Sequence, residues 1–178
     1  GVVLHPTETV YGFGCDARSC GACARVRVIK GVPPDRPLIW LVRDLDHARE
    51  VAEFSGLAER LAAEFWPGPL TLVVEGRGGT LALRVSPHPV VVALLAELGG
   101  PLTSTSANRT GEPAPATVPE ASWMGEQGPD WILDAGPCAG RVGSTLVDCT
   151  GDRPKLLRAG DLDVGRLCEV VEIDTDGC

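Results

Sequence analysis

Three segments rich in hydroxyl groups lie next to apolar runs that predict β-strands. Residues 6–12 follow the first such run, residues 103–108 end another, and residues 143–145 lead into a third. A single segment of this kind is more often a cap or a turn, but α/β sheets bind their ligands at strand ends. Three such segments in one chain therefore predict a convergent polar pocket. Three cationic side chains border other predicted elements and complete the candidate set: Lys30, Arg84 and Arg158.

The position of Arg84 follows from strand alternation. In the run Leu81-Ala82-Leu83-Arg84, Arg84 shares a face with Ala82 and lies opposite the two leucines. Because Ala82 is small, the guanidinium has room to reach into a cavity. An ordinary solvent-facing position is the alternative.

A glycine pattern, Gly12-x-Gly14-x-x-Ala17, superficially matches a dinucleotide-binding fingerprint. The true fingerprint follows its strand directly and opens a helix, whereas residues 6–11 intervene after the strand here. We therefore expect a glycine-rich turn at this place and not a dinucleotide site.

Cysteine spacing offers a second candidate. Cys15, Cys20 and Cys23 have the spacing of a plant-type iron–sulfur loop, and Cys20 with Cys23 also resembles a redox pair. A cluster would need a fourth ligand, which Cys138 or Cys149 could supply. We favour a structural role, because Cys20 and Cys23 fall on a predicted amphipathic helix, where cysteine packs as a small hydrophobe.

Composition narrows the classes of function. The chain has 178 residues, with 16 Lys and Arg against 24 Asp and Glu, so its formal charge is −8. An apolar fraction of 44% excludes intrinsic disorder. The acidic balance argues against non-specific nucleic-acid binding, which depends on phosphate neutralisation. Apolar runs are shorter than the roughly 18 residues of a membrane span, so no membrane association is expected.

Cysteine and histidine counts bear on the compartment and on metals. Seven cysteines cannot all pair within one chain, and reduced thiols indicate a cytoplasmic protein. The three histidines are scattered and form no zinc-binding pattern. We expect no metal site built from protein side chains.

Strands and helices alternate along the chain, which predicts a single α/β (mixed α+β) domain over residues 1–178. Helices are predicted from the Ser19 cap to Lys30 and over residues 46–54, 57–65 and 89–98, and a capping box at 117–120 starts another. The predicted strands cover residues 2–4, 38–42, 70–75, 80–85, 102–105, 131–133, 145–149, 155–157 and 170–173. Residues 70–85 form a predicted hairpin with the loop 76–79.

A series of stretches resembles the YrdC-like family, the threonylcarbamoyl-AMP synthases of tRNA modification. The most specific are PTETVYG (6–12), WPGPLT (66–71) and SAN (106–108). Others are IKG (29–31), RPLI (36–39), TLALRV (80–85), GSTLVD (143–148) and LRAG (157–160). They occur in the family's order and span nearly the whole chain.

The resemblance implies a twisted sheet flanked by helices around a concave pocket. It implies a nucleotidyltransferase that joins L-threonine, bicarbonate and ATP into threonylcarbamoyl-AMP and releases pyrophosphate, with Mg²⁺ accompanying ATP. The product would feed a separate tRNA threonylcarbamoyl-transferase complex that modifies adenosine 37. The tRNA itself would then be an indirect or weak ligand.

Site residues are carried over by similarity. Thr9, Arg84 and Ser144 would bind L-threonine, and Arg84 would pair with its carboxylate bidentately. The ATP site would take a second set of side chains: Lys30, Arg36, Thr80, Ser106, Asn108 and Arg158.

The chain departs from the family pattern in several places. Val32 stands where the family usually has Arg, and we expect Arg36 to restore part of the lost charge. Leu41 replaces a His that contacts threonine in some members. The helix that usually precedes the first strand is expected to be missing from residues 1–178, as is the second C-terminal domain of longer members.

Two alternatives remain beside the synthase. The chain could bind nucleotide or RNA without making the product, or it could transfer a carbamoyl-adenylate to another acceptor, as YrdC-like domains of hydrogenase maturation proteins do. The synthase interpretation carries a spatial expectation. The acidic excess should cover the remaining surface, while four cations converge on one concave pocket: Lys30, Arg36, Arg84 and Arg158.

Overall fold

Short strands joined in one sheet form the centre of the protein, as a computed structural model shows. The structure describes residues 1–118 and 128–175. The strands of this part are β1 (Val3–His5), β2 (Gly12–Gly14), β3 (Ile39–Leu41), β4 (Ala52–Glu53), β5 (Leu70–Gly76), β6 (Gly79–Arg84), β7 (Leu102–Ser106), β8 (Trp131–Ile132), β9 (Thr145–Asp148) and β10 (Lys155–Arg158). The helices are α1 (Cys20–Lys30), α2 (Leu45–Val51), α3 (Gly56–Phe65), α4 (Pro89–Leu98) and α5 (Val164–Val170).

The sheet has the strand order β10-β9-β5-β6-β3-β7-β2-β1-β8, and β4 pairs with β5 beside this path. The pairs β1–β8, β3–β6 and β5–β9 are parallel, whereas the other pairs are antiparallel. The predicted mixed α/β fold is therefore confirmed. Strands far apart in sequence become neighbours, which brings the hydroxyl-rich strand ends to one sheet.

The helices begin and end where local chemistry dictates. Ser19 caps α1 by accepting a hydrogen bond from Ala22 N, and Gly31 ends it in the left-handed conformation, with φ of 67°. Pro89 stands at the start of α4, where its missing N–H costs nothing. The longest helix, α1, has 11 residues. Within residues 1–118 and 128–175, no helix is long and apolar enough to cross a bilayer.

One face of the sheet is covered. The register pairs Leu72 with Leu83 and with Val147, and all three side chains are fully buried. Helices α2, α3 and α5 pack on them, while α1 packs on Leu4 and Phe13 farther along the same face. Burying each such side chain contributes about 1.5–3 kcal/mol, so this face holds the main core.

The opposite face is only partly covered. The register aligns Val73 with Ala82, Ala82 with Ile39, and Ile39 with Ser104, and all four residues are half-buried. We refer to this surface of β5, β6, β3 and β7 as the open face. Helix α4 covers it only at one end, through a small apolar cluster with Leu41. The open face leaves room for a ligand between short or small side chains.

The structure corrects the prediction for the glycine pattern. Gly12 and Gly14 lie inside β2 and form neither a turn nor a helix start. A Cβ at Gly12 would lie 3.0 Å from Ser104 Oγ, and one at Gly14 would lie 2.7 Å from Thr103 O. These glycines therefore serve the close approach of β2 to β7.

Four further predictions need correction or a limit. The strand predicted over residues 170–173 is wrong, because α5, capped by Asp163, continues to Val170 and only Asp174 bridges to Lys155. The helix predicted over 46–54 ends at Val51, where β4 begins. The hairpin is confirmed with a shorter loop, because its strands include both Gly76 and Gly79. The helix predicted to start at 117–120 would continue into residues 119–127, which lie outside the described ranges.

Candidate active site on the open face

The segment between β1 and β2 is a tight turn organised by Thr7. Thr7 N donates to Val10 O at 3.2 Å, and the Thr7 hydroxyl donates to the same oxygen at 2.8 Å. Thr7 Oγ1 in turn accepts from the N–H groups of Thr9 and Val10, both at 3.1 Å. A threonine hydroxyl can replace backbone partners in this way. Glu8 and Thr9 are thereby held at the end of a buried strand.

Arg84 ends β6 on the open face, and its side chain is only 6% exposed. Its Nη2 donates to Glu8 Oε1 at 2.6 Å and to Thr9 Oγ1 at 3.0 Å. Its Nε donates to Gly68 O, in the WPGPLT turn, at 3.3 Å. A buried guanidinium is costly unless it is paired, and Glu8 supplies the opposite charge.

Ser144 forms a second buried hydroxyl group nearby. Ser144 Oγ lies 2.7 Å from Thr71 Oγ1. Arg158 Nη2 donates to Ser144 O at 2.8 Å, and Arg158 Nε donates to the same oxygen at 3.3 Å. Gly160 permits this arrangement, because a Cβ there would collide with the backbone of Ser144.

Strand register joins these two groups. Since Leu72 pairs with Leu83 in the antiparallel β5–β6 ladder, Thr71 lies opposite Arg84. Burial, and after it the charges of Arg84 and Arg36, lower the pKa of Arg158. The combined set is referred to below as the arginine subsite: Glu8, Thr9, Thr71, Arg84, Ser144 and Arg158.

Lys30, Ser106 and Asn108 form a second group, referred to below as the lysine subsite. Lys30 is the last residue of α1, and its Nζ donates to Ser106 O at 2.6 Å, to Asn108 O at 2.5 Å and to Asn108 Oδ1 at 2.7 Å. Ser106 Oγ donates to the same Oδ1 at 2.6 Å. Burial lowers the pKa of Lys30 to about 8. A phosphate would therefore meet an ammonium whose donors already bind the turn after β7.

The two subsites flank one short segment of chain. Thr9 contacts Arg84, and two residues later Tyr11 O accepts from Ala107 N at 2.9 Å. Gly12 then pairs with Ser106 in the β2–β7 ladder. The PTETVYG segment is thus the physical link between the subsites.

The structure separates the predicted site residues into three places. Thr9, Arg84 and Ser144, predicted for threonine, lie together in the arginine subsite, and so does Arg158, which the resemblance assigned to ATP. The lysine subsite contains three other residues predicted for ATP. Thr80 is exposed at the start of β6, about 13 Å along the strand from Arg84.

Arg36 lies in the loop before β3 and is exposed. Because β3 runs parallel to β6, with Ile39 opposite Ala82, this loop lies at the same end of the open face as Thr80. Its charge acts on Arg158. The structure therefore brings Arg158 within electrostatic range of both Arg36 and Arg84, while Lys30 lies in the other subsite.

Sequence reasoning missed Glu8 and Thr71. Both lie inside the specific motifs, and a carboxylate between two threonines was a visible signal for Glu8. For Thr71 the available signal was a hydroxyl side chain in β5, at a position that strand alternation places on the face opposite Leu70 and Leu72. Neither pattern reveals a partner, since Glu8 binds Arg84 and Thr71 binds Ser144 across 76 and 73 residues of sequence.

The cysteines of the predicted cluster, Cys15, Cys20 and Cys23, do not converge on a common site. Cys15 and Cys23 are buried with their Sγ atoms 3.7 Å apart, whereas Cys20 is exposed. Burial raises the pKa of the Cys15 thiol to about 12, so this thiol stays protonated and packs as an apolar group. Among the residues that the structure describes, no group of three or more His, Cys, Asp and Glu could hold a metal ion.

Comparisons with known proteins agree with this architecture. The Sua5/YciO/YrdC family model, described as "Telomere recombination", matches residues 1–160. A putative threonylcarbamoyl-AMP synthase of Mycobacterium tuberculosis is 39% identical over 186 residues, which cover 97% of this chain and 84% of that protein. The threonylcarbamoyl-AMP synthase of Bacillus subtilis is 34% identical over 173 residues, which cover 90% of this chain and 50% of that protein.

Solved structures show the same likeness. Sua5 of Pyrococcus abyssi, in a crystal structure with L-threonine, superposes with a TM-score of 0.89 at 33% identity over 97% of this chain and 55% of that one. Escherichia coli YciO gives a TM-score of 0.83 at 28% identity over 92% of this chain and 85% of that one. The chain spans about half the length of the Bacillus and Pyrococcus proteins. By sequence and by fold, it belongs to the Sua5/YciO/YrdC family.

Proposed function

We propose that the protein is a threonylcarbamoyl-AMP synthase, which condenses L-threonine, bicarbonate and ATP and releases pyrophosphate. The observation that carries the proposal is the buried Arg84 beside Thr9 on the open face. A fixed guanidinium flanked by hydroxyls suits a small hydroxylated amino acid. Support also comes from the relatives at 34–39% identity that are named as synthases or putative synthases.

L-Threonine would bind at the arginine subsite. Its carboxylate would take N–H groups of Arg84, and Thr9 and Ser144 would flank its hydroxyl and amine. Leu41 lies opposite Arg84 in the β3–β6 ladder and is fully buried under α4. The wall beside the guanidinium is therefore apolar at the position where some family members have a His.

ATP would lie along the open face toward Thr80 and the lysine subsite. Within the described ranges, neither Arg36 nor Arg158 forms an ion pair, so both positive charges are available to phosphate groups. This supports the expectation that Arg36 offsets the missing arginine at Val32. ATP would carry Mg²⁺ on its own phosphates.

The reaction needs placement and charge neutralisation. The threonine amine and bicarbonate form a carbamate with loss of water, and a carbamate oxygen then attacks the α-phosphorus as the bond to pyrophosphate breaks. Such a transfer depends on positioning and electrostatic stabilisation more than on a protein nucleophile. The cations and hydroxyls of the two subsites fit that requirement.

The product would pass to a separate tRNA threonylcarbamoyl-transferase complex in the cytoplasm. A formal charge of −8 opposes strong binding to the phosphates of tRNA. We therefore assign tRNA an indirect role.

The test is an assay of pyrophosphate release with the acceptor varied. The proposal expects release that requires ATP, bicarbonate and L-threonine together, with threonylcarbamoyl-AMP detected by mass spectrometry. Saturable ATP binding without release would instead indicate a nucleotide-binding module. Release that needs carbamoyl phosphate in place of threonine and bicarbonate would indicate carbamoyl-adenylate chemistry on another acceptor.

A further inference from the structure

Glu8 has a fixed backbone in the middle of the Thr7–Val10 turn. Thr7 closes the turn on both sides of Glu8, and Glu8 O accepts from Gly140 N at 3.1 Å. The side chain of Glu8 is only 19% exposed. A carboxylate on so constrained a backbone has few positions available to it.

Both carboxylate oxygens of Glu8 have partners in the arginine subsite. Oε1 accepts from Arg84 Nη2 at 2.6 Å, and Oε2 accepts a short hydrogen bond from Ser86 Oγ. Ser86 is itself buried and accepts from His88 N at 3.3 Å. The chain of contacts from Ser86 through Glu8 therefore fixes the guanidinium from one side.

These contacts use the N–H groups on one side of the Arg84 guanidinium and leave those on Nη1. A guanidinium has five N–H groups in a rigid fork. The two on Nη2 bind Glu8 and Thr9, and the one on Nε binds Gly68 O. Among the described residues, no acceptor binds Nη1. Because Nη1 is not one of the fully buried atoms without a partner, it keeps some exposure to solvent. The Nη1 edge is what remains for a ligand.

Glu8 also limits repulsion between cations. Arg84 and Arg36 both act on Arg158, and the Glu8–Arg84 pair is the ion pair that the described residues form within the arginine subsite. Without the carboxylate, Arg84 would be an unpaired buried charge near Arg158, and such a charge moves or draws in water.

We propose that Glu8 is a positioning residue of the threonine subsite, which holds Arg84 by Nη2 so that Nη1 faces the substrate carboxylate. This inference rests on the proposed synthase function. It differs from a role for Glu8 as a substrate contact, because the amide of glutamine could keep the hydrogen bond to Nη2 while losing the charge.

The test compares Glu8→Ala with Glu8→Gln in steady-state assays. Loss of position should raise the threonine KM of Glu8→Ala by about thirtyfold to a hundredfold, with the ATP KM unchanged within about threefold. Glu8→Gln should raise the threonine KM by only about threefold to tenfold, because its side-chain oxygen still accepts from Arg84 although the neutralising charge is lost. Glu97→Gln, an exposed change on α4, is the matched control and should leave all constants unchanged.

Ser86→Ala provides a variant that removes only the hydroxyl behind Glu8. It should raise the threonine KM by about threefold to tenfold, since one neutral support of the carboxylate is lost. Equal losses in Glu8→Ala and Glu8→Gln, or an unchanged threonine KM in Glu8→Ala and Ser86→Ala, would overturn the inference. Absence of pyrophosphate release in the wild type would instead refute the proposed function, and calorimetric titration of the variants with L-threonine would still test the placement of Arg84.

Discussion

The arginine and lysine subsites solve the burial of a cation in different ways. Arg84 is nearly enclosed and has a carboxylate, Glu8, at 2.6 Å. Lys30 is half-buried and binds three oxygens of Ser106 and Asn108 within 2.7 Å, but among the described residues it has no carboxylate partner. One cation is neutralised and the other is only solvated by the protein.

Because of this difference, the two cations contribute to ligand binding in different ways. A neutralised guanidinium adds little net field, so Arg84 acts through the direction of its remaining N–H groups. An ammonium held by neutral oxygens keeps its positive charge, and burial lowers its pKa to about 8. The arginine subsite is thus suited to recognise shape, and the lysine subsite to attract phosphate.

Removing Arg84 should have the largest effect on the molecule. Arg84→Ala leaves the largely enclosed Glu8 carboxylate without its charge partner, which costs about 3 kcal/mol of the free energy of unfolding. Threonine use should fall far more than ATP binding, because ATP keeps the lysine subsite. Urea denaturation measures the loss of stability. Threonine-dependent pyrophosphate release and nucleotide titration measure threonine use and ATP binding.

The control for Arg84→Ala is the double variant with Glu8→Ala. Removing both charges should restore part of the stability without restoring threonine use. If Arg84→Ala costs less than about 1 kcal/mol, the pair behaves like a surface ion pair, and the contrast with Lys30 is lost.

The titration of His5, at the end of β1, reports how tightly this strand is packed before the segment shared by both subsites. His5 is fully buried, its Nδ1 donates to Pro6 O at 3.1 Å, and burial lowers its pKa from 6.5 to about 4. Between these values the unfolded chain binds a proton that the folded chain does not. Stability should therefore fall as pH drops from 6.5 to 4, by about 3 kcal/mol in total.

His5→Leu should remove this part of the acid sensitivity. Denaturation of wild type and variant at pH 7, 5.5 and 4 would give diverging stabilities, with the variant gaining relative to the wild type at low pH. Parallel curves would show that His5 is solvated in the folded protein and that β1 is loosely packed before the shared segment.

Local sequence was sufficient for much of the fold. Ser19 and Gly31 bound α1 where their chemistry predicts, and Pro89 starts α4. The strand predicted over residues 170–173 is wrong. Its β-branched residues favour a strand, but Asp163 caps a helix that continues to Val170. That choice depends on Leu167 packing into the core, which no local pattern reveals.

The site was predictable in its members but not in its pairings. Thr9, Arg84 and Ser144 could be named from motifs, yet Ser144 lies on the same side of the sheet as Arg84 only because β9 lies beside β5 and β5 beside β6. The same order places Thr71 between them. Strand order is a property of the whole chain, so the partners of Glu8 and Thr71 required the structure.

Titration of Lys30 gives a smaller, functional effect. ATP affinity should fall above pH 8 as Lys30 loses its charge, with the ATP KM rising about tenfold by pH 9 if only the ammonium binds phosphate. Stability should change in the opposite direction: the unfolded lysine stays protonated up to 10.5, so deprotonation of the folded form stabilises it between about 8 and 10.5.

Lys30→Arg is the control for this profile, because arginine stays charged throughout the range. The variant should show no break in ATP KM between pH 7 and 9.5, whatever its absolute affinity. A break of the same size in both proteins would assign the titration to another group, and Lys30 would then resemble Arg84 as a mainly geometric residue.

The smallest expected effect compares hydroxyl pairs within the two subsites. Thr71 and Ser144 are buried and 2.7 Å apart, so Thr71→Val should cost about 1–2 kcal/mol of the free energy of unfolding by leaving the Ser144 hydroxyl without an acceptor. Ser106 is half-buried beside Asn108, where water can replace a lost bond, and Ser106→Ala should cost about 0.5 kcal/mol or less. The double variant Thr71→Val with Ser144→Ala should cost less than the sum of the single variants, because both remove one interaction. Additive costs would mean that the Thr71 and Ser144 hydroxyls do not act as one pair. A larger loss for Ser106→Ala than for Thr71→Val would mean that the lysine subsite is the more rigid of the two, and that recognition by shape should be sought there.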